Sequence, residues 1–434
     1  MKGWSTNTIG QLCDVGGGKV KTGPFGSQLH ESDYSETGTP FVMPQDILDG
    51  RINEARVARV SEAHVDRLHK HKLSKGDIIY GRRGDIGRQA LIRDENIGWL
   101  CGSGCIRITL GGSTVTPEFL HRHLQMPEII HWVEGQAIGA TMPNLNMKIL
   151  RRVPVTYPLD RETQNKIVAI LSAYDKSIEI NKRRIALLEK MAEEIYREWF
   201  VRLRFPGYEK VKSIRGVPEG WKILPFSEIV NINPLERIDR SEEIPFVAME
   251  DLTLTSMFFF SKQMRKGGSG SKFRNRDVLF PRITPSVENG KRGFVMGLSD
   301  GQVGLGSTEF IVMREKIIGA EHIYFLTCSS DFRMNAELSM VGASGRQRVH
   351  EHCFLSFLVK TPPLLVRKMF SEVVNPLFSQ IHYLSSCIDR LKKSRDLLLP
   401  RLISGKLSVQ NLDIQFPPGM AAEMEARPIK TAHA

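Results

Sequence analysis

The sequence predicts an α+β protein. Two β-rich halves repeat one another, each is followed by a long helix, and the two helices pair as a coiled coil. Three observations carry this reading. One order of short blocks is written twice, Gly-punctuated β-like runs fill each copy, and a heptad seam marks both long stretches.

The repeat comes first. Thr39-Pro40-Phe41-Val42, leading to Gln45-Asp46, returns as Ile244-Pro245-Phe246-Val247, leading to Glu250-Asp251. Gly76-Asp77-Ile78-Ile79-Tyr80 with Arg82 returns as Arg276-Asp277-Val278-Leu279-Phe280 with Arg282. Gly102-Ser103-Gly104 returns as Gly306-Ser307-Thr308, and Gly139-Ala140-Thr141 as Gly342-Ala343-Ser344. Short matches arise by chance, but a shared order at offsets of 200 to 205 residues points to duplication. Within each copy, strands are expected at Phe41 to Met43, Asp77 to Tyr80 and Cys105 to Leu110. The second copy places them at Phe246 to Met249, Asp277 to Phe280 and Glu309 to Met313.

The first helix is expected after Pro158, with Asp160 as N-cap and Glu162 in the positive first turn. It has no Pro or Gly until Phe205-Pro206-Gly207. That length makes a rod of roughly 65 Å. Ile178, Ile185, Leu188, Ile195 and Trp199 form its seam. They map onto Ile381, Ile388, Leu391, Leu398 and Leu402 at one offset, 203. The second helix follows Pro362-Pro363 and stops at Gly405. Pro376 is expected to kink or interrupt its start, and Pro400 its end. The resulting domains are 1–158, helix 159–204, 205–362, helix 363–412, and a disordered tail 413–434.

The 434 residues suit two to three domains, and 41% hydrophobic with 25% charged residues is a globular balance. Apolar runs fall far short of the roughly 20 residues that span a bilayer. No apolar stretch follows Met1, so no secretory signal is expected. Six cysteines are too sparse for a disulfide scaffold, and a reducing cytoplasm is the expected setting. Sixty Lys and Arg against 48 Asp and Glu give +12, which suits a polyanion such as nucleic acid.

Catalytic machinery is not legible. No G-x-x-x-x-G-K-[ST] occurs, and Gly267-Gly268-Ser269-Gly270-Ser271-Lys272 lacks the required spacing. Gly16-Gly17-Gly18 is not a dinucleotide turn, and Asn233-Pro234 stops short of the Asn-Pro-Pro-aromatic tetrad of many adenine methyltransferases. Cys101 with Cys105, and His350 and His352 before Cys353, lack a second C-x-x-C, so no metal site is expected.

Basic residues are dense in each β-rich half: eleven against five acids between Arg51 and Arg93, nine against two between Lys262 and Arg292. Arg82, Arg83 and Arg88 sit around Gly81, Gly84 and Gly87, where backbone can approach a phosphate. Arg282, Lys291 and Arg292 surround Gly290 and Gly293. Ser344-Gly345-Arg346-Gln347-Arg348 combines donors suited to base edges, as Arg pairs with guanine and Gln with adenine. Its counterpart runs from Thr141 to Asn146, where Asn144 and Asn146 could meet adenine. Lys19, Lys21, Ser27 and Gln28 read as a further polar loop, and Lys266 and Lys272, with Lys262 and Arg265, as mobile phosphate contacts.

These blocks in this order resemble the specificity subunit of type I restriction–modification systems. The residues carrying the resemblance are Thr22-Gly23-Pro24-Phe25-Gly26-Ser27-Gln28-Leu29, Gly76-Asp77-Ile78-Ile79 through Gly87, and Met142-Pro143-Asn144-Leu145-Asn146. Gln164-Asn165-Lys166-Ile167-Val168, Glu198-Trp199-Phe200 and Ser344 to Arg348 also contribute. So does Leu398-Leu399-Pro400-Arg401-Leu402-Ile403-Ser404-Gly405, the most specific block. The likeness runs to about Leu412.

The resemblance implies two target-recognition domains related by a pseudo-two-fold, each reading half of a split double-stranded DNA site. It implies that the helices form an antiparallel coiled coil, which spaces the half-sites and docks two modification (methyltransferase) subunits. Restriction subunits would add translocation and cleavage. The chain would not be catalytic by itself, and S-adenosylmethionine, ATP and Mg would bind partner subunits. The block from Thr22 to Leu29 is missing from the second repeat, which runs Val230-Asn231-Ile232-Asn233-Pro234, so the half-sites should differ. Two other readings stay open: a scaffold joining two interaction domains without DNA, and a fused single-chain restriction–modification enzyme.

Overall fold

The computed structural model describes residues 3–25, 28–84, 86–136, 144–239, 241–254, 256–261, 263–342 and 347–417. The chain divides into two compact units, Met1–Ser177 with Leu391–Ala434, and Ile178–Arg390. Both divisions fall inside long helices, so each unit holds a β-rich half and a stretch of both helices.

In the first unit one sheet orders Gly17–Thr22, Cys105–Gly111, Ile78–Gly81 and Gln89–Leu91, all antiparallel. A second sheet orders Leu100–Cys101, Thr39–Val42, Ala58–Val60 and Tyr34–Ser35, with Phe41 and Leu100 paired in parallel. Trp4–Thr8 and Pro154–Pro158 close the ends of the half as an antiparallel pair. The second unit repeats this plan. Val230–Ile232, Phe310–Glu315, Val278–Pro281 and Gly293–Phe294 form one sheet. Ser271–Phe273, Gly304–Gly306, Glu243–Val247 and Gln263–Lys266 form the other, again with one parallel pair, Phe246 to Leu305. Lys222–Pro225 and Leu358–Thr361 are the closing pair.

Strand alternation sorts the interior. Ile78 and Tyr80 enter the large core beneath the helices, while Ile79 enters a small core between the two sheets. Val278 and Phe280 divide from Leu279 in the same way. Full burial of such side chains stabilises by about 1.5–3 kcal/mol each.

The repeated acids have structural work. Asp46 accepts from the Met43 amide at 2.8 Å, and Asp251 from the Ala248 amide at 2.8 Å, each bracing a short 3₁₀ turn. Asp77 and Asp277 are both buried, and accept from the amides of Ser74 (2.8 Å) and Arg274 (2.7 Å).

The first long helix, Arg161–Tyr196, is capped by Asp160 as expected, which accepts from the amides of Glu162 (3.2 Å) and Thr163 (2.9 Å). It ends in a π turn, Arg197–Val201, before the expected stop at Phe205. Leu203, in the left-handed region at φ 60°, takes the chain out of the helical course. The second, Leu364–Ile403, is not interrupted at either proline, so the expected break at Pro376 does not occur and the helix runs three residues past Pro400. Val374 and Phe378, at 0% and 1% exposure, anchor the turn around Pro376, so packing outweighs the lost hydrogen bond of about 3 kcal/mol. Gly405 at φ 70° ends the helical course as predicted, its amide bonding the Leu402 carbonyl at 3.1 Å.

The helices pair within each unit. In the first, Ile167, Val168 and Leu171 share a core with Leu399, Leu402 and Ile403. There Lys166 reaches the Gln410 carbonyl and Asp175 meets Arg395 at 2.7 Å, so the chains run antiparallel. Asp175 also holds Arg122 at 2.6 Å, tying the pair to the β-rich half. In the second unit Tyr196, Trp199 and Phe200 pack on Phe370, at 6.4, 5.9 and 4.7 Å between ring centroids. All ten seam residues, Ile178, Ile185, Leu188, Ile195, Trp199, Ile381, Ile388, Leu391, Leu398 and Leu402, are buried or half-buried. Residues 413–417 carry no helix or strand, and 418–434 lie outside the described residues.

Candidate nucleic-acid interface

Each unit presents an arginine just beyond the same strand end, and each clasps it with the same returning segment. Arg82 follows Ile78–Gly81, and its carbonyl accepts from the Leu145 amide at 2.9 Å. Arg282 follows Val278–Pro281, and its carbonyl accepts from the Val349 amide at 2.7 Å. The offset between Leu145 and Val349 equates Asn144 with Arg348. The two segments therefore offer different side chains on one backbone frame.

In the first unit Arg82 Nε donates to Asn144 Oδ1 at 3.2 Å, which gathers two of the expected contacts. Arg83 is exposed, and with Arg88 it lines a cleft of about 520 Å³ shared with Tyr34, Gln45 and Asp46. Burial pushes the Asp46 carboxyl up, against the lowering effect of the Met43 amide. Asn146 is spent locally: its side chain caps helix Met147–Arg151, accepting from the Ile149 amide at 2.9 Å. Gln28 is likewise engaged, its side chain accepting from the Phe25 amide at 3.0 Å. Lys19 and Lys21 do not lie in a loop. They stand exposed on strand Gly17–Thr22, because its glycines let it press against its neighbour. A Cβ on Gly18 would lie 1.9 Å from the Thr109 carbonyl oxygen. Ser27 and Thr141 lie outside the described residues.

In the second unit Arg282 pairs with Glu351 at 3.2 Å and Arg348 with Glu309 at 2.8 Å. The Arg348 bonds hold the Glu309 carboxyl below the usual range. Both pairs are at least partly exposed, so opening them toward a ligand costs little. Lys291 donates to the Met249 carbonyl at 3.4 Å, and Arg292 lies over the Tyr324 ring at 5.6 Å. Lys266 is exposed and Lys272 half-buried, both on strands rather than in a mobile Gly/Ser stretch. Arg265 there stacks over Phe246 at 3.4 Å. Gln347 is half-buried, while Ser344, Arg346 and Lys262 lie outside the described residues. After His350 the chain makes a 3₁₀ turn, Glu351–Phe354, and then strand Leu358–Thr361.

Sequence reading missed the Tyr34–Gln45–Asp46 cleft, which assembles from separate segments. It also missed the Asn146 cap, whose signal was present as Asn before Met-Lys-Ile-Leu-Arg. Among the described residues no group of three or more His, Cys, Asp or Glu could hold a metal, and no helix is long and apolar enough to cross a membrane.

Two copies of one loop-bearing scaffold, joined to paired helices, define a two-module architecture. Residues 1–190 match the family model described as a type I restriction modification DNA specificity domain. Over 427 residues the chain is 24% identical to the type I restriction enzyme MjaIX specificity subunit of Methanocaldococcus jannaschii, covering 95% of each. Over 154 residues it is 32% identical to the EcoEI specificity subunit of Escherichia coli, covering 34% of this chain and 26% of that one. Its fold is shared with the type I S subunit from M. genitalium, at a TM-score of 0.58 and 14% identity, covering 92% of this chain and 96% of that one. The chain is thus similar to type I restriction–modification specificity subunits along most of its length, and its first 190 residues match the model of their DNA specificity domain.

Proposed function

We propose that the chain binds double-stranded DNA and reads an asymmetric bipartite site, one half-site in each unit. The observation that carries this is the shared clasp at Arg82 and Arg282, with Asn144 in one return segment and Arg348 in the other. One scaffold with different side chains suits two different half-sites. Each long helix has residues in both units. On the first helix, Ile180, Leu187 and Met191 stay exposed at 46%, 63% and 53%, a second apolar stripe at spacings of seven and four. It suits docking of modification subunits, with restriction subunits added to that complex. S-adenosylmethionine, ATP and Mg would be held by those partners.

The test is to exchange the first recognition half, residues 1 to about 158, for that of another specificity subunit and to map N6-methyladenine across a host genome. One half of the methylated site should change while the spacer stays fixed. Change in both halves, or a shifted spacer, refutes modular reading.

A further inference from the structure

Cations gather at one corner of the first unit's larger sheet. Gly17–Thr22 is its edge strand, with Lys19 and Lys21 exposed on one face and Val20 buried on the other. Lys21 stands opposite Arg107, and Lys19 opposite Thr109. Arg107 in turn donates to the carbonyls of Lys70, at 3.3 Å, and Lys72, so the turn His69–His71 leans over the same corner. Lys70 and Lys72 are exposed. Among the described residues, none of the four lysines enters an ion pair. Arg107 has buried Asp77 at 3.9 Å. Burial and the Arg107 charge hold His71 below the ordinary histidine range, so it adds no charge at neutral pH.

Register identifies the matching positions in the second unit. Ile79 faces Arg107 where Leu279 faces Val312, so Lys21 corresponds to Asn233 and Lys19 to Asn231. Lys72 bridges Leu100 as Lys272 pairs with Leu305, which places Gly270 at the Lys70 position. Only one of these five cations is kept. Arg314, which stands opposite Asn231, is bound by Asp277 at 2.7 Å and by Glu236 at 2.5 Å.

Lysines on an edge strand discourage strand addition, which accounts for Lys19 and Lys21 alone. It does not account for Lys70 and Lys72, brought to the same corner by another element. Ammonium groups on flexible stems act as point charges, suited to phosphates rather than to base edges. Thr109 lies four residues along its strand from Cys105, the partner of Gly81 beside Arg82. That is about 13 Å, the rise of roughly four base pairs. We propose that Lys19, Lys21, Lys70 and Lys72 form a sequence-independent contact to the phosphate backbone of duplex DNA beside the first unit's half-site, without a counterpart in the second unit. This rests on the DNA-binding reading above.

Duplex binding by the full chain assembled with its modification subunits, between 50 and 200 mM salt, tests it. Lys70→Ala/Lys72→Ala and Lys19→Ala/Lys21→Ala should each flatten the log–log salt slope by about two units and weaken cognate and mismatched duplexes equally. Wild type would then lose roughly tenfold more affinity than either variant across that range. Lysine-to-arginine versions should restore the slope, and Asn231→Ala should leave it unchanged. An unchanged slope in both lysine doubles, or weakening confined to the cognate duplex, overturns the inference alone. A wild-type complex that binds no duplex overturns the functional reading and this inference with it.

Discussion

Gly76 and Arg276 occupy the same turn, at φ 82° and 72°, and show how the two units diverge. Glycine takes the left-handed conformation without steric cost. Arginine does not, and Arg276 is held there by Glu321 at 2.8 Å and Glu315 at 3.1 Å. The next residue repeats the contrast. Buried Asp77 accepts from the Thr109 hydroxyl, while buried Asp277 is bound by Arg314, which also holds Glu236, itself bound to Arg274 at 2.7 Å. At the starts of the long helices, Gln164 bonds the carbonyls of Thr114 (3.1 Å) and Pro158 (2.8 Å), where Arg367 bonds those of Ile317 and Pro362. At these three matched places the first unit relies mainly on small and neutral groups and the second on charged ones, although the first unit's helix pair is itself tied down by the Asp175–Arg122 ion pair. Topology is therefore conserved by the places that need a partner rather than by the partner's chemistry. The second unit should then be more vulnerable to loss of one charge.

The largest effect is expected at Arg314. Arg314→Ala leaves Asp277 buried without its guanidinium and strips a partner from Glu236. Breaking such a pair costs about 3–5 kcal/mol. Thr109→Ala removes one hydroxyl from Asp77, whose carboxylate keeps the Ser74 amide, and should cost about 1 kcal/mol. Urea unfolding of both variants checks the ratio. Equal losses would end the distinction between an ionic and a neutral interior.

Much of this plan is legible in sequence, for reasons seen in particular residues. Alternation at Ile78-Ile79-Tyr80 and Val278-Leu279-Phe280 reads directly as two cores on two faces, because side chains on a strand alternate. The Asp160 cap and the Gly405 stop are local signals and fall where expected. The course through Pro376 is not legible, since it depends on Phe378 and Val374 finding partners far along the chain. The candidate interface is legible as a region and blurred as a set of residues. Asn146 and Gln28 look like free amides in sequence, yet nearby backbone N–H groups occupy their oxygens. Lys70 and Lys72 were passed over because only strand register brings them beside Lys21.

Gln164 offers a test of the helix joints. It is 0% exposed and its side chain also accepts from the Thr116 amide at 2.8 Å. Gln164→Ala orphans that amide and two carbonyls, at an expected cost of about 2 kcal/mol, since water can replace some of these bonds. Thermal melting measures it. A loss below about 0.5 kcal/mol would mean that the joint is held by the neighbouring apolar contacts of Ile167 and Val168 instead.

The smallest effect concerns pH and a histidine at matched positions. His322 stacks on Phe200, with ring centroids 4.1 Å apart, and meets Tyr196 edge-on at 5.4 Å. Equal offsets at the helices Pro117–His123 and Ala320–Cys328 put Phe119 at its place in the first unit. Burial, and then the Arg367 charge, lower the His322 pKa from 6.5 to about 3. A lowered pKa means that the unfolded chain binds the proton first. Stability is therefore full above about pH 6.5 and declines as pH falls toward 3. Between pH 7.5 and 5.5 the loss from this one group should be roughly 1 kcal/mol. Phenylalanine keeps a ring in the stack and cannot take the proton. His322→Phe should thus match wild type within about 1 kcal/mol at pH 7.5 and lose correspondingly less on going to pH 5.5. Buried His121 and His123 in the first unit contribute to the acid loss of both proteins alike, so the difference between them isolates His322. Parallel urea titrations at the two pH values give that difference, and identical acid sensitivity in the variant would remove His322 from the contrast between the units.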